Sequence, residues 1–396
     1  MAIVSEKTPS ANIPPEIIEI ILSKLSSVKS LLRFKAVSKS WNTLISNPLF
    51  IQNHLRSSDN SPDNLFLSTD TYGTDRGFTL VKFEVGNIHS GEISVESIPN
   101  GYDRILCECN GVLLLTSIYG ECEYDTCALW NPSTRSQMFL INRCEFNEDH
   151  DVDFDCGICY EQITDDVLDC GVCYDQITGD FKVVFVYATK YEIYSCNNNS
   201  WTEKYLGTKF YTILGTPGAA IFVDGATYWI LGVESRNISG TQLVYFDPRT
   251  DELKILKKPE QLNDDKFHLI NKASLGGRLC LYHYNYNENS IQIWIKEKGI
   301  DTNWKEFLTV GKLCPYLWIT PICFVGNKVV IQVDRKKFVY YSPTEQTFEE
   351  FVDIDVKCNG FIPYRNSLYF PTAVKTTTIK GQQSRFMLPE HKYLCM

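Results

Sequence analysis

Apolar and polar residues follow a helical period near the start of the chain, within residues 12–55. Ser27 and Ser38 each precede a short apolar stretch and are suited to cap a second and a third helix. Asn47-Pro48 ends the third helix and is followed by a last apolar turn. The apolar positions of the first helix recur at helical spacing and predict one wide apolar face: Ile17, Ile18, Ile21, Leu22 and Leu25.

Three or four helices of this length cannot bury so many Ile and Leu side chains among themselves. Part of their surface should therefore meet either another protein or the body of this one. The pattern alone leaves both interpretations open.

From Leu65 onward, short apolar runs alternate with turns. Four glycines, separated by 114, 52 and 49 residues, each precede an apolar strand: Gly111, Gly225, Gly277 and Gly326. Three prolines take the second position of turns that follow aromatic strand ends: Pro132, Pro248 and Pro343. A unit of roughly 50 residues with several strands is typical of a β-propeller. We therefore predict a mainly β fold, a propeller of about five to seven irregular blades that follows a small α-helical module.

Composition narrows the classes of function. The chain has 396 residues, and a hydrophobic content of 44% is enough for a packed core. Its net charge of −10 argues against a nucleic-acid partner, which requires a basic surface. No apolar run is long enough to span a bilayer, and the start of the sequence lacks the pattern of a signal peptide. We expect no membrane partner, a cytoplasmic or nuclear location, and reduced cysteines.

Negative charge is concentrated in one segment. Residues 145–180 contain twelve acidic residues and no Lys or Arg, so the remainder of the chain carries about +2. Such a segment either attracts a basic protein target or only increases solubility. On the first interpretation, the residues that would face the target are Asp149, Asp151, Asp153, Asp165 and Asp166.

A tandem duplication in this segment contains a motif with metal-ligand spacing. DCGICYEQITDD at 155–166 is repeated as DCGVCYDQITGD at 169–180. Two C-x-x-C pairs are typical of a structural zinc site, but a single duplication creates the same spacing without metal. In an extended strand the two sulfurs of a pair point to opposite faces, so ligation would need turns at Gly157 and Gly171. The alternative zinc ligands are Cys156, Cys159, Cys170 and Cys173.

Other motifs for catalysis are absent from the sequence. It has no histidine pair at helical spacing, nucleophile elbow, phosphate-binding loop or dinucleotide fingerprint. We predict a protein that is not an enzyme and that needs no metal and no cofactor. A zinc-binding module or enzyme built on the paired cysteines is the alternative.

The helical segment resembles the F-box of plant F-box proteins. The resemblance rests on Ile13-Pro14, on LLRFKAVSK at 31–39 and on Trp41. In that family the module docks on the adaptor subunit of SCF-type ubiquitin ligases, and through the adaptor on the cullin. The resemblance implies these adaptor contacts: Ile13, Pro14, Ile17, Ile21, Leu22, Leu25, Leu32, Val37 and Trp41.

The strand-rich remainder resembles the F-box-associated domain of plant F-box/kelch-type proteins, a layout shared by S-locus F-box proteins. The resemblance rests on phrases such as ECNGVLLL at 108–115, ALWNPSTR at 128–135 and VDGATYW at 223–229. It implies a substrate-recognition subunit of an SCF-type (cullin-RING) E3 ubiquitin ligase, whose β domain binds a protein target for ubiquitination. A second alternative is a ligase-independent propeller scaffold, on which the helices only pack.

The predicted organisation has five parts. They are a flexible N-terminus (1–11), the F-box (12–55), a linker (56–64), the propeller-like domain (65–370) and a mobile tail (371–396).

Overall fold

The helices all lie at the start of the described chain. The computed structural model describes residues 13–25, 27–57, 65–69, 78–84, 87–93, 98–99, 102, 104–116, 126–141, 167–212, 220–234, 239–260, 262, 270–285, 288, 290–297, 303–311, 319–334, 337–350 and 361–371. Four α-helices come first: α1 (Pro15–Ser23), α2 (Val28–Phe34), α3 (Lys39–Ile45) and α4 (Pro48–Ser57). None of these helices has the length and apolar character that crossing a membrane would require.

Strands form the rest of the described regular structure. They are β1 (Leu65–Thr69), β2 (Phe78–Glu84), β3 (Asn87–Ile93), β4 (Arg104–Cys109), β5 (Val112–Thr116), β6 (Thr126–Asn131), β7 (Ser136–Ile141), β8 (Asp169–Tyr174), β9 (Phe181–Val186), β10 (Lys190–Ser195), β11 (Ser200–Tyr205), β12 (Lys209–Tyr211), β13 (Ile221–Val223), β14 (Ala226–Glu234), β15 (Ser239–Asp247), β16 (Glu252–Leu256), β17 (Ile270–Leu275), β18 (Arg278–Asn285), β19 (Ser290–Lys296), β20 (Trp304–Val310), β21 (Ile319–Val325), β22 (Lys328–Val333), β23 (Lys337–Ser342), β24 (Thr347–Glu350) and β25 (Phe361–Pro363).

These strands form six antiparallel sheets, which are the blades of a propeller. Five sheets have four strands each, and the sixth has five strands, because both β12 and β13 pair with β14. The first strands of the blades contact one another around a central axis, as in the contacts of β4 with β8 and of β17 with β21. The predicted propeller is therefore confirmed, with six blades.

The ring is closed by β25, the last strand among the described residues. β25 pairs with β1, with Phe66 opposite Pro363 and Ser68 opposite Phe361, and so completes the blade of β1, β2 and β3. The Phe361 ring packs 5.3 Å from that of Phe338 in the last blade and 6.0 Å from that of Phe83 in the first. The pairing covers the edge of β1 that would otherwise be open.

The repeated glycines and prolines mark turns at one end of the propeller. Each of the four glycines lies in the turn between the first and second strand of a blade, and each of the three prolines lies between the third and fourth. In antiparallel blades these two kinds of turn lie at the same end, which we call the turn face. Asp169 pairs with Val186 at the opposite end of its blade, which we call the far face.

Residues 364–371, here called the closing segment, follow β25 across the turn face. The Asn131 side-chain amide donates hydrogen bonds to the carbonyl oxygens of Ser367, at 3.0 Å, and Tyr369, at 2.6 Å. The Glu108 carboxylate accepts hydrogen bonds from the backbone N–H groups of Gly111, at 2.6 Å, and of Arg365. Gly111 has a φ of +84°, and a Cβ there would meet the Ser367 side chain. The closing segment therefore requires glycine at this turn.

Glu108 makes the anchoring of the closing segment sensitive to pH. Burial of the carboxyl raises the pKa of Glu108 from 4.5 to about 7, although its hydrogen bonds to Gly111 and Arg365 favour the charged form. Between pH 4.5 and about pH 7 the folded protein keeps a proton on Glu108 that the unfolded chain has released, because the folded-state pKa is the higher one. The free energy of unfolding should therefore decrease as pH rises from 5 through 7.

The variant Glu108→Gln tests this coupling. We expect its free energy of unfolding to decrease less between pH 5 and pH 8 than that of the wild type, by about 1–3 kcal/mol. Urea unfolding at the two pH values measures the difference, with Glu349→Gln as a control at a surface ion pair with Lys328. If the free energy of unfolding had the same pH dependence in Glu108→Gln and in wild type, Glu108 would not be the group that titrates.

Candidate functional site

The first helix exposes apolar side chains to solvent. Ile17, Ile20 and Ile21 are 45%, 49% and 50% exposed, and Ile13, just before the helix, is 56% exposed. Leu22, on the other side of the helix, is only 1% exposed. One side of α1 therefore belongs to the core of its own module, and the other is a candidate docking surface.

Serine caps fix the two helices that follow. Ser27 Oγ accepts a hydrogen bond from the Ser30 N–H at 3.2 Å, and Ser38 Oγ accepts one from the Trp41 N–H at 3.1 Å. Both caps were predicted from the sequence and are confirmed. The turn between α2 and α3 contains Val37, whose side chain is 62% exposed.

The predicted adaptor contacts separate into three groups. Five are exposed: Ile13, Pro14, Ile17, Ile21 and Val37. Three are partly buried against the core of the helical module: Leu25, Leu32 and Trp41. Leu22 lies in that core itself, where its side chain is already covered by this chain, and its role as an adaptor contact stays a prediction.

Sequence reasoning missed two exposed residues of the helical module. Ile20 lies on the exposed side of α1, and Leu49, at the start of α4, is 68% exposed. Ile20 also borders a cavity of about 290 Å³ between α1 and α4. The cavity is lined by Glu16, Glu19, Ile20, Ser23, Phe50 and Asn53. The run of isoleucines in α1 signalled an apolar helix, but not which of its sides this chain would cover.

The helical module contacts the turn face of the propeller. Gln52 Nε2 donates a hydrogen bond to the Tyr174 hydroxyl at 3.1 Å, and Tyr174 is the last residue of β8 at that face. Leu368 of the closing segment belongs to the same apolar cluster as Leu22 and Phe50. The module is therefore attached to the propeller on one side while the isoleucines of α1 remain exposed.

The predicted target-facing aspartates lie outside the described residues. Asp149, Asp151, Asp153, Asp165 and Asp166 belong to residues 142–166, so their role stays a prediction. The described strands on either side are β7 and β8, whose ends nearest this segment, Ile141 and Asp169, lie at the far face. The two attachment points are thus opposite the helical module.

The described half of the zinc alternative is part of the propeller core. Cys156 and Cys159 lie outside the described residues, whereas Cys170 and Cys173 are buried in β8. Gly171 lies within the strand instead of providing the required turn, and a Cβ there would meet the Trp229 ring at 2.7 Å. Burial raises the pKa of both Cys170 and Cys173 well above the usual range, which favours the thiol over the metal-binding thiolate. Among the described residues, no group of three His, Cys, Asp or Glu is arranged to hold a metal ion.

Comparison with known proteins gives two family matches. The profile described as "F-box associated beta propeller domain" matches residues 88–376, and the profile "F-box-like" matches residues 10–56. An F-box/kelch-repeat protein of Arabidopsis thaliana is 25% identical over 352 residues, covering 85% of this chain and 89% of that protein. The F-box protein CPR1 of the same plant is 24% identical over 352 residues, covering 84% of this chain and 82% of that protein. The solved structure of TolB from Acinetobacter baumannii has 11% identity and a TM-score of 0.40, covering 80% of this chain and 72% of that one.

Two alanine variants on adjacent residues distinguish the two sides of α1. Leu22→Ala should lower the free energy of unfolding of the helical module by about 2–5 kcal/mol, because it leaves a cavity in the core. Ile21→Ala should change it by less than about 0.5 kcal/mol, because the side chain is exposed. Urea unfolding followed by far-ultraviolet circular dichroism gives both values. Equal losses in the two variants would contradict the assignment of sides.

Proposed function

This chain belongs to the F-box-associated β-propeller family, and on that premise we propose that it is the substrate-recognition subunit of an SCF-type ubiquitin ligase. The helical module binds the adaptor, and the propeller binds a protein target. The observation that carries the proposal is the exposed apolar side of α1, on a module whose core is packed around Leu22 and whose second and third helices are capped by serine.

The physical basis of adaptor binding is the burial of this apolar surface. Removing one Ile side chain from water contributes roughly 1.5–3 kcal/mol. Ile17, Ile20 and Ile21 lie on one helix and are 45%, 49% and 50% exposed, which leaves about half of that contribution unrealised in the free protein. An adaptor with a complementary apolar groove would recover it.

The role of the chain in ubiquitin transfer is positioning. With the adaptor bound at the helices and a target bound at the propeller, a target lysine is held near the ubiquitin-charged enzyme that the cullin recruits. Its effective concentration rises without any chemical group being supplied by this chain. The cullin is therefore an indirect partner, reached through the adaptor.

The face opposite the helices is the proposed side for the target. The turn face is partly occupied, since Gln52 contacts Tyr174 and Leu368 enters the helical core. The far face carries the attachment points of the acidic segment, which would favour a basic target. The scaffold alternative is less favoured, because helices that only packed on the propeller would have no need of exposed isoleucines. The cytoplasmic or nuclear location and the absence of a cofactor stay predictions.

Charge substitutions on the exposed side of α1 test adaptor binding. The double variant Ile17→Glu, Ile21→Glu should weaken adaptor affinity by at least about a hundredfold, because two desolvated apolar contacts are replaced by carboxylates. Isothermal titration calorimetry with purified adaptor measures the dissociation constant.

The matched control changes an exposed isoleucine elsewhere. Ile177, in the turn between β8 and β9, is 78% exposed, and Ile177→Glu should leave adaptor affinity unchanged. Equal adaptor affinity in the wild type, the Ile177→Glu control and the double variant would show that the proposed docking surface is wrong.

A further inference from the structure

We infer that Leu368 is a positioning residue for adaptor binding: the propeller's closing segment completes the core of the helical module and so holds the docking surface in place. The inference rests on the proposed function for its consequence, although the packing that supports it does not. Leu368 lies in the chain far beyond the residues that were predicted to form the F-box.

The side chain of Leu368 is an integral part of the helical core. It is 5% exposed and forms one cluster with five buried residues of the helices. These are Leu22, Val28, Leu31, Ile45 and Phe50. The four helices are short, between seven and ten residues each, and the other apolar side chains of the module that pack against this cluster are only partly buried. A helical module of this size depends on such an added residue for its stability.

The backbone on both sides of Leu368 is held by the second blade. Asn131 donates to the carbonyl oxygens of Ser367 and of Tyr369, the two neighbours of Leu368. Asn131 is fully buried, so neither of its two bonds can be replaced by water. The two bonds fix the direction in which Leu368 points.

The residue after Leu368 is held by the third blade. The Tyr369 hydroxyl donates to the Gly179 carbonyl oxygen at 3.3 Å, and its ring packs 5.2 Å from that of Tyr174 and 5.7 Å from that of Phe181. Tyr174 in turn accepts the hydrogen bond from Gln52 of α4. The closing segment therefore connects the second blade, the third blade and the helices.

This arrangement has a consequence for the ligase. Leu22 packs with Leu368 on one side of α1, while Ile17 and Ile21 are exposed on the other. Loss of the Leu368 side chain would weaken the packing of the buried side of α1 without altering any residue of the docking surface. Adaptor affinity and the orientation of the propeller relative to the adaptor would then both depend on a residue that never contacts the adaptor.

The test uses the full chain and amide hydrogen exchange. In Leu368→Ala, we expect exchange of the α1–α4 amides to increase on the order of thirtyfold or more, because a buried Leu is lost from the core. Exchange of the β9, β14 and β22 amides should stay at the wild-type rate, which shows that the propeller remains folded. Leu368→Met, which conserves volume, should restore slow exchange in the helices.

A matched control separates this effect from general destabilisation. Leu262 is 3% exposed in a cluster between the fourth and fifth blades, away from the helices. Leu262→Ala should increase exchange in those blades and leave the helices unchanged. Wild-type exchange of the helices in Leu368→Ala, or an equal increase in Leu262→Ala, would overturn the inference.

Adaptor affinity, measured on the same variants, distinguishes this inference from the proposed function. We expect Leu368→Ala to bind the adaptor at least about tenfold more weakly than wild type, and Leu368→Met to bind within about threefold of it. Full affinity in Leu368→Ala with fast helix exchange would overturn the positioning role. A wild-type chain that binds no adaptor, with the exchange pattern as expected, would overturn the proposed function and leave the structural role of Leu368 intact.

Discussion

The side-chain amide of Asn131 is the interaction on which the rest of the structure depends. Its oxygen accepts a hydrogen bond from the Ser133 N–H at 2.8 Å and shapes the turn between β6 and β7. Its nitrogen donates to the carbonyl oxygens of Ser367 and Tyr369. One buried side chain therefore sets a blade turn and the path of the closing segment. A carboxylate at this position would keep the first role and lose the second.

Ring closure and attachment of the helices share the same stretch of chain. β25 pairs with β1 to complete the first blade, and the closing segment then places Leu368 among the helices. The helical module thus has two apolar surfaces. One is its core, which Leu368 helps to cover, and the other is the exposed side of α1. A module with both sides covered could not dock, and one with neither covered would be too small to stay folded.

The periodic features of the fold could be predicted from the sequence. Ser27 and Ser38 cap helices, and the glycine and proline turns recur once in each blade that has them, because turn geometry restricts which residues fit. The place of Leu368 could not be predicted, because it depends on contacts with residues more than three hundred positions earlier in the chain. Periodicity likewise assigned Leu22 and Ile21 to one apolar helix, but which side would be covered depends on tertiary packing.

The most direct test of adaptor docking at the exposed side of α1 is hydrogen exchange of the full chain with and without saturating adaptor. We expect the amides of α1 to exchange more slowly when the adaptor is bound, while those of Asp169 and Val186, which pair at the far face, keep their rates. The far-face amides should respond instead to a bound target. Unchanged exchange in α1, or protection confined to the propeller, would contradict the claim that the exposed side of α1 is the docking surface.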